Sequence, residues 1–461
     1  MREPNWRERA LLVAVYGRRR VGKTALVEHA YDRDLLWKFE GIEAGNTRTQ
    51  IQLFLKQLSR CVPGADLPQA GDWDEALTLL NKAIAEHGRS PSGRTVVFLD
   101  EFQWMCEMKT DLVSLFKYHW DNFLSRHSHC VFVLCGSISS FIVKKVIRSK
   151  ALYGRTDTEL HLQPLPFEQC KPLFEGTRLA DEALDTYLTV GGIPHYLIEM
   201  NPRMSLTQNL SEYAFQPSGF LFREFERLFV SHFAGHPAYE IILRALSSGA
   251  CTPQALAKKC SMESGGTFSS RLRELELAGF VRRLTPLDKS DRSRIVRYRI
   301  DDEYLHFYFR FIQPHSAEVL SGAVRPVQIL HERAFRQWQG YAFERFCTAH
   351  ARYIADYLRF SGITYRAGSW FRRPETGQDG AQFDLVFLRN DKVITACELK
   401  YGTRLNPRKI VNDFKARLEP LRSAFPHHAI ETALFLARSS KAADRLRSHF
   451  DHVAAVEDVF G

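Results

Sequence analysis

The segment YGRRRVGKTALVEHA, residues 16–30, constrains this chain more than any other. It satisfies G-x-x-x-x-G-K-[ST] throughout, as Gly17, Arg18, Arg19, Arg20, Val21, Gly22, Lys23 and Thr24. The preceding LLVAVY is an apolar run of strand length, and TALVEHAYD after it has the spacing of an amphipathic helix. A strand, a glycine-bounded loop and a helix N-terminus in that order align backbone N–H groups that can cradle phosphates. Lys23 can then reach the β and γ oxygens, and the Thr24 hydroxyl can hold Mg²⁺. ATP with Mg²⁺ is the expected cofactor.

A second apolar run, Thr95 to Leu99, stops at Asp100 and Glu101. A buried parallel strand reads this way, and its carboxyl end belongs on the same sheet edge as the loop after the first strand. Asp100 is expected to hold Mg²⁺ through its water shell, and Glu101 to orient the attacking water. A third strand, HCVFVLCGSISSF, carries Ser137 where a hydroxyl could sense the γ-phosphate, although a serine there also serves as a plain turn former. In LYGR, Arg155 could reach a γ-phosphate in its own or a neighbouring subunit, or simply be a solvated surface arginine. A homo-oligomer is therefore left open.

Taken in order, YGRRRVGKT, FLDEFQWM, LCGSISSF, LYGR and GGIPHYL resemble the archaeal-type ATPase family, a branch of the AAA+ and STAND group of P-loop ATPases. The resemblance implies a sheet in which the sensor strand separates the Asp100 strand from the phosphate-loop strand, followed by a helical lid. It also implies that Pro194 of GGIP lies near the nucleotide base; read alone, GGIP is a turn. Such ATPases usually carry a longer segment before the first strand, contributing to the base pocket. About a dozen residues stand there in this chain, so a shortened start is expected.

At 461 residues the chain exceeds what one core organises, and two to four domains are expected. A formal net charge of +10 favours a polyanionic partner or serves solubility. The nine cysteines contain no C-x-x-C pair, which fits free thiols in a reducing cytoplasm. The apolar runs are too short to span a bilayer, and the N-terminus lacks a signal-peptide cleavage pattern, so no membrane partner is expected.

Between 237 and 300 the pattern is three short helices and a hairpin, the plan of a winged helix-turn-helix. The third helix would present Arg271 and Arg273, and the wing Arg282, Arg283, Arg292, Arg294 and Arg297, to DNA; winged helices in such ATPases also serve as protein-docking or lid elements. The aromatic run DDEYLHFYFRFIQPH invites base stacking, but its helical spacing fits a domain joint better.

Toward the C-terminus, GAQFDLVFLRNDKVITACELKYG reads as two strands around the turn RND, with Asp384 on the first and Glu398 and Lys400 on the second. Alternation puts Glu398 and Lys400 on one face, where Asp384 can join them. Two converging carboxylates repel unless a cation lies between them, and hard oxygen ligands suit Mg²⁺ or Mn²⁺. Lys400 would stabilise charge at phosphorus. With Glu344 on the preceding helix, these residues resemble the PD-(D/E)XK nuclease fold over roughly residues 300–461.

The expected fold class is multidomain α/β. It comprises a P-loop ATPase sheet (1–165) with a helical lid (166–236), a winged helix-turn-helix (237–300), an aromatic connector (301–325) and a restriction-endonuclease-like α/β/α domain (326–461). Two functions follow. One is an ATP-hydrolysing DNA-processing protein with a metal-dependent nuclease-like domain. The other is a nucleotide-controlled DNA- or protein-binding switch whose last domain is catalytically inactive.

Overall fold

A computed structural model describes residues 9–43, 45–64, 68–89, 93–106, 111–137, 152, 154–233, 236–285, 287, 296–372, 380–402 and 405–460. The chain divides into two compact units, Met1–Pro164 with Arg273–Gly279, and Leu165–Leu272 with Phe280–Gly461.

In the first unit the strands are β1 (Leu11–Gly17), β2 (Leu35–Glu40), β3 (Thr95–Asp100), β4 (Cys130–Ser137) and β5 (Thr158–Leu162), and the helices α1 (Lys23–Ala30), α2 (Thr47–Cys61), α3 (Trp73–His87), α4 (Phe102–Met105) and α5 (Leu112–Asn122). All strand pairs are parallel, in the order β2-β3-β4-β1-β5. The sensor strand β4 thus separates β3 from β1. Every residue of β3 is buried, because helices cover both sheet faces. Alternation sorts its side chains. Val97 and Leu99 join Phe54, Leu77 and Phe116 of α2, α3 and α5, whereas Val96 and Phe98 join Val27 of α1. Asn46 and Asp72 cap α2 and α3 by accepting from the N–H groups of Thr49 and Glu75.

The second unit opens with helices α6 (Phe167–Cys170), α7 (Ala183–Val190), α8 (Pro194–Glu199), α9 (Leu206–Tyr213) and α10 (Phe220–Phe233). Next come α11 (Pro237–Leu246), α12 (Pro253–Lys259) and α13 (Gly266–Leu277), the last crossing the boundary between units, and the antiparallel hairpin β6 (Val281–Leu284) and β7 (Arg297–Ile300). Helices α14 (Glu303–Phe307), α15 (Ser316–Ser321), α16 (Pro326–His331), α17 (Arg333–Ala349) and α18 (Ala351–Tyr357) lead into a second sheet. Its strands are β8 (Tyr365–Arg372), β9 (Ala381–Arg389), β10 (Val393–Lys400), β11 (Ala429–Leu436) and β12 (His452–Ala455), in the order β12-β11-β10-β9-β8. The three strands β8, β9 and β10 pair antiparallel; β10, β11 and β12 pair parallel through α19 (Pro407–Ala424) and α20 (Lys441–Leu446). Helix α17 packs on β9 and β10, and α19 sets Ile410, Phe414 and Leu418 against Phe383, Ile394 and Ala396.

The aromatic run is core. Tyr304, Phe307 and Phe311 are buried, Tyr304 Oη donates to the Leu221 carbonyl (2.7 Å), and the Phe311 ring meets Trp338 at 5.4 Å. No stacking surface for bases is left by these rings.

Candidate functional site

The loop after β1 is shaped by its two glycines. A Cβ on Gly17 would lie 2.5 Å from the Leu162 carbonyl oxygen, and Gly22 has φ +88°, so neither position takes a side chain without strain. Arg18 and Val21 are buried, Arg19 is exposed, and Arg20 has φ +73°. Lys23 is 6% exposed and donates to the carbonyls of Gly17 (3.2 Å) and Arg18 (3.1 Å). Burial lowers its pKa, opposed by the charges of Glu101 and Asp100 nearby.

Strand β3 brings its carboxylates to the same sheet edge. Thr24 Oγ1 donates to Asp100 Oδ2 at 2.8 Å, and the Glu101 N–H donates to Asp100 Oδ1 at 3.0 Å. Glu101 has φ +47°, a left-handed conformation that turns the chain sharply out of β3. Its carboxylate accepts from Gln103 Nε2 and, at 3.5 Å, from Ser137 Oγ. Gly17 and Ser137 are register partners in the sheet, so the loop start and Ser137 are neighbours. Thr24, Asp100, Glu101 and Ser137 therefore form one chain of contacts. Thr24 and Asp100 are hard oxygen donors already within hydrogen-bond distance, which fits a Mg²⁺ ion held between them through water.

Two residues enter that the sequence reading missed. Gln103 fixes the Glu101 carboxylate, and Lys38 of β2 places Nζ 3.8 Å from Asp100 and 2.8 Å from Glu28. A lysine within the apolar strand LLWKFE was a usable signal for Lys38; nothing local marked Gln103.

Arg155 requires a correction. It precedes β5, and Asp157 donates its N–H to the Leu12 carbonyl (2.8 Å), which ties this segment to the beginning of β1. The phosphate loop follows the other end of β1, five residues on and on the order of 16 Å away. An arginine side chain is shorter than that, so Arg155 does not reach a γ-phosphate in its own subunit. It pairs instead with Asp121 through Nε (2.6 Å) and Nη2 (2.9 Å), holding that carboxyl below its usual range. Pro194 opens α8 in the second unit. Beside it Gly191 has φ +73°, and a Cβ on Gly192 would fall 1.9 Å from the Leu165 carbonyl oxygen.

In the second unit, Glu344, Asp384, Glu398 and Lys400 come together. The β9–β10 ladder runs to Cys397 opposite Leu385, and one step further puts Glu398 opposite Asp384. Burial, and secondarily the Asp384 charge, raises the Glu344 pKa to about 7. Glu398 is 4% exposed, with Lys400 Nζ on one oxygen (2.6 Å) and Arg417 Nη2 on the other (2.6 Å). Asp384 accepts from Gln382 Nε2 at 2.9 Å. Among the described residues no group of three or more His, Cys, Asp or Glu side chains is arranged to hold a metal ion. The expected Mg²⁺ or Mn²⁺ would meet a donor set in which both Glu398 oxygens are already ion-paired with cations of the chain itself. Arg417 was missed, since its place on α19 carries no spacing signal toward Glu398. A cavity of about 520 Å³ opens beside the cluster, with Glu344, Lys400, Tyr401 and Arg438 in its wall.

Among the described residues the basic hairpin is packed against the protein rather than free, against the expectation for Arg282, Arg283 and Arg297. Arg297 lies over the Phe371 ring of β8 (4.6 Å), Arg282 pairs with Asp301 (2.8 Å), and Arg283 is half-buried. Leu287 is buried in the core of the C-terminal sheet, its carbonyl accepting from Arg366 (2.9 Å). Arg292 and Arg294 lie outside the described residues. On α13, Thr267, Ser269, Ser270 and Arg273 are exposed, while Arg271 approaches the His236 ring at 3.5 Å.

A parallel sheet with a glycine-bounded phosphate loop after β1, and an Asp-Glu pair at the end of β3, one strand removed across β4, defines a P-loop ATPase domain. Residues 4–200 match the family described as an ATPase domain predominantly from Archaea, and residues 308–411 a family of archaeal and bacterial proteins of unknown function. An uncharacterized protein of Methanocaldococcus jannaschii is 25% identical over 394 residues, covering 84% of this chain and 82% of that one. The Walker-type ATPase of Pyrococcus abyssi is similar with 20% identity and a TM-score of 0.47, over 65% of this chain and 91% of that chain. The ORC2 protein of Aeropyrum pernix, in ADPNP–ADP complexes, is similar with 16% identity and a TM-score of 0.43, over 68% and 88%. Among the described residues no helix is long and apolar enough to cross a membrane.

Proposed function

We propose that the chain is an ATP-hydrolysing switch acting on DNA, in which nucleotide turnover in the first unit controls a binding function of the second. The observation that carries the ATPase chemistry is the contact chain Thr24–Asp100–Glu101–Ser137 beside Lys23. On nucleotide binding, Lys23 exchanges the two loop carbonyls for β and γ oxygens, a charge-assisted bond that compensates its burial. Thr24 and Asp100 would hold Mg²⁺, which when bound would supply positive charge against that developing on the phosphates. Glu101 orients the attacking water, with Gln103 and Ser137 limiting its rotamers. Glu101→Gln should retain nucleotide binding and lose about 10²-fold or more in hydrolysis. Unchanged turnover would remove Glu101 from the mechanism.

DNA contact is assigned to the exposed face of α13 rather than to the hairpin, whose described arginines are engaged by protein partners. Loss of one phosphate contact in Arg273→Ala should reduce the salt slope of DNA affinity by about one. An unchanged slope would point to protein docking by this helix.

For the C-terminal domain, the ion pairing of both Glu398 oxygens by Lys400 and Arg417 favours a binding role. The convergence of Glu344, Asp384, Glu398 and Lys400 favours a second reading, a metal-dependent nuclease. Incubation of plasmid and short duplexes with Mg²⁺ or Mn²⁺, with and without ATP, separates the two. Cleavage that disappears in Asp384→Ala would establish the nuclease and overturn the binding role.

A further inference from the structure

Arg417 is a built part of the carboxylate cluster. Its Nε donates to the Asp413 carbonyl one turn earlier on α19 (3.0 Å), its Nη1 to the Gln382 carbonyl on β9 (3.1 Å), and its Nη2 to Glu398. The guanidinium also lies over the rings of Phe383 (5.2 Å) and Phe414 (5.9 Å). All three nitrogens are thus committed while two aromatic rings hold the plane, an arrangement that a lysine could not reproduce. Gln382 links the two carboxylates, since its backbone holds Arg417 and its side-chain amide occupies Asp384.

A buried carboxylate needs a counter-charge, which in an oxygen-ligand metal site comes from the ion. At Glu398 it comes from two side chains, one on each oxygen. A divalent ion entering between Asp384 and Glu398 would be repelled by both resident cations, an opposition relieved only by removing one of them.

We propose that Arg417 is the resident counter-cation of this cluster, and that Glu398 and Asp384 take a divalent ion only when Arg417 is removed from between α19 and β9. The inference rests on reading Glu344, Asp384, Glu398 and Lys400 as one constellation, but it assigns the metal-excluding role to a residue outside that set.

The test is Mn²⁺ binding to the full-length, nucleotide-free chain, read from the free-ion signal in electron paramagnetic resonance. Wild type and Asp384→Ala should bind Mn²⁺ identically, because the site is closed in both. Arg417→Met, which keeps an apolar stem against Phe383 and Phe414, should gain one site. That site should be at least about tenfold tighter than any wild-type binding, the scale on which neighbours of metal ligands tune affinity. Adding Asp384→Ala to Arg417→Met should abolish the gain. Two results would overturn the proposal. If Asp384→Ala removes Mn²⁺ already bound by wild type, Arg417 excludes nothing, while the nuclease reading stands. If Arg417→Met and Arg417→Gln both melt as folded proteins and bind no more Mn²⁺ than wild type, the constellation is not a latent metal site and the nuclease reading fails with it. The wild-type comparison needs no Arg417 variant, so a folding defect in those variants leaves the proposal open to refutation.

Discussion

His350 joins the helices at the start of the second unit to its C-terminal sheet domain, and acid should break that joint. The ring is 4% exposed and packed against Phe346, Tyr187 and Phe460. Nδ1 lies 2.9 Å from the Phe346 carbonyl and must donate to it, so Nε2 is left as the acceptor of the Phe167 N–H at 3.1 Å. Protonation would aim a second hydrogen at that N–H and place a charge among aromatic rings. Burial accordingly lowers the His350 pKa from its ordinary 6.5 to about 4. A depressed histidine leaves the folded state neutral while the unfolded chain takes up a proton. Its contribution is therefore intact above pH 6.5 and lost as pH falls from 6.5 toward 4. At about 1.4 kcal/mol per pH unit, that interval amounts to about 3 kcal/mol. His350→Gln offers an acceptor and a donor without titrating. Denaturant unfolding of both proteins at pH 7.5, 6, 5 and 4 should show wild type losing about 3 kcal/mol more than the variant across the series. Parallel curves would refute the assigned tautomer and the buried neutral ring.

Glu344 should act in the opposite sense. With its pKa raised to about 7 from an ordinary 4.5, the folded state keeps a proton that the unfolded chain has released. The stabilisation is full below pH 4.5 and lost as pH rises through 7, about 3 kcal/mol as an upper bound, so melting curves should show Glu344→Gln gaining on wild type between pH 5 and pH 8. Lys23→Met should abolish nucleotide binding, as measured by displacement of a fluorescent ATP analogue, while leaving the melting temperature unchanged or higher, since a buried ammonium is removed from the loop. Gly192→Ala should cost at least about 2 kcal/mol, because the new Cβ meets the Leu165 carbonyl at 1.9 Å, and a melting temperature equal to wild type would contradict the close approach.

What the sequence determined by itself was local. Gly17 to Thr24 is a contiguous motif whose backbone shape depends on two glycines a few residues apart, and Asp100-Glu101 ends an apolar run that is buried on both faces in the fold. The pairing of Asp384 with Glu398 was also legible, because a short turn fixes the register of the antiparallel strands it joins. Among the readings left open for Arg155, the direction of a parallel strand bears on reach within its own subunit: residues just before β5 lie at the amino edge of the sheet, while the phosphate loop lies at the carboxyl edge. Other features were decided only in three dimensions. Nothing near Arg297 says that it will lie over Phe371, and nothing near Arg417 that it will close on Glu398. Arginines in a sequence read as free charge, but whether one meets DNA, a ring or a buried carboxylate depends on which distant strand folds beneath it. In this protein that packing spends on internal partners several of the charges that made the chain look built for phosphate and metal.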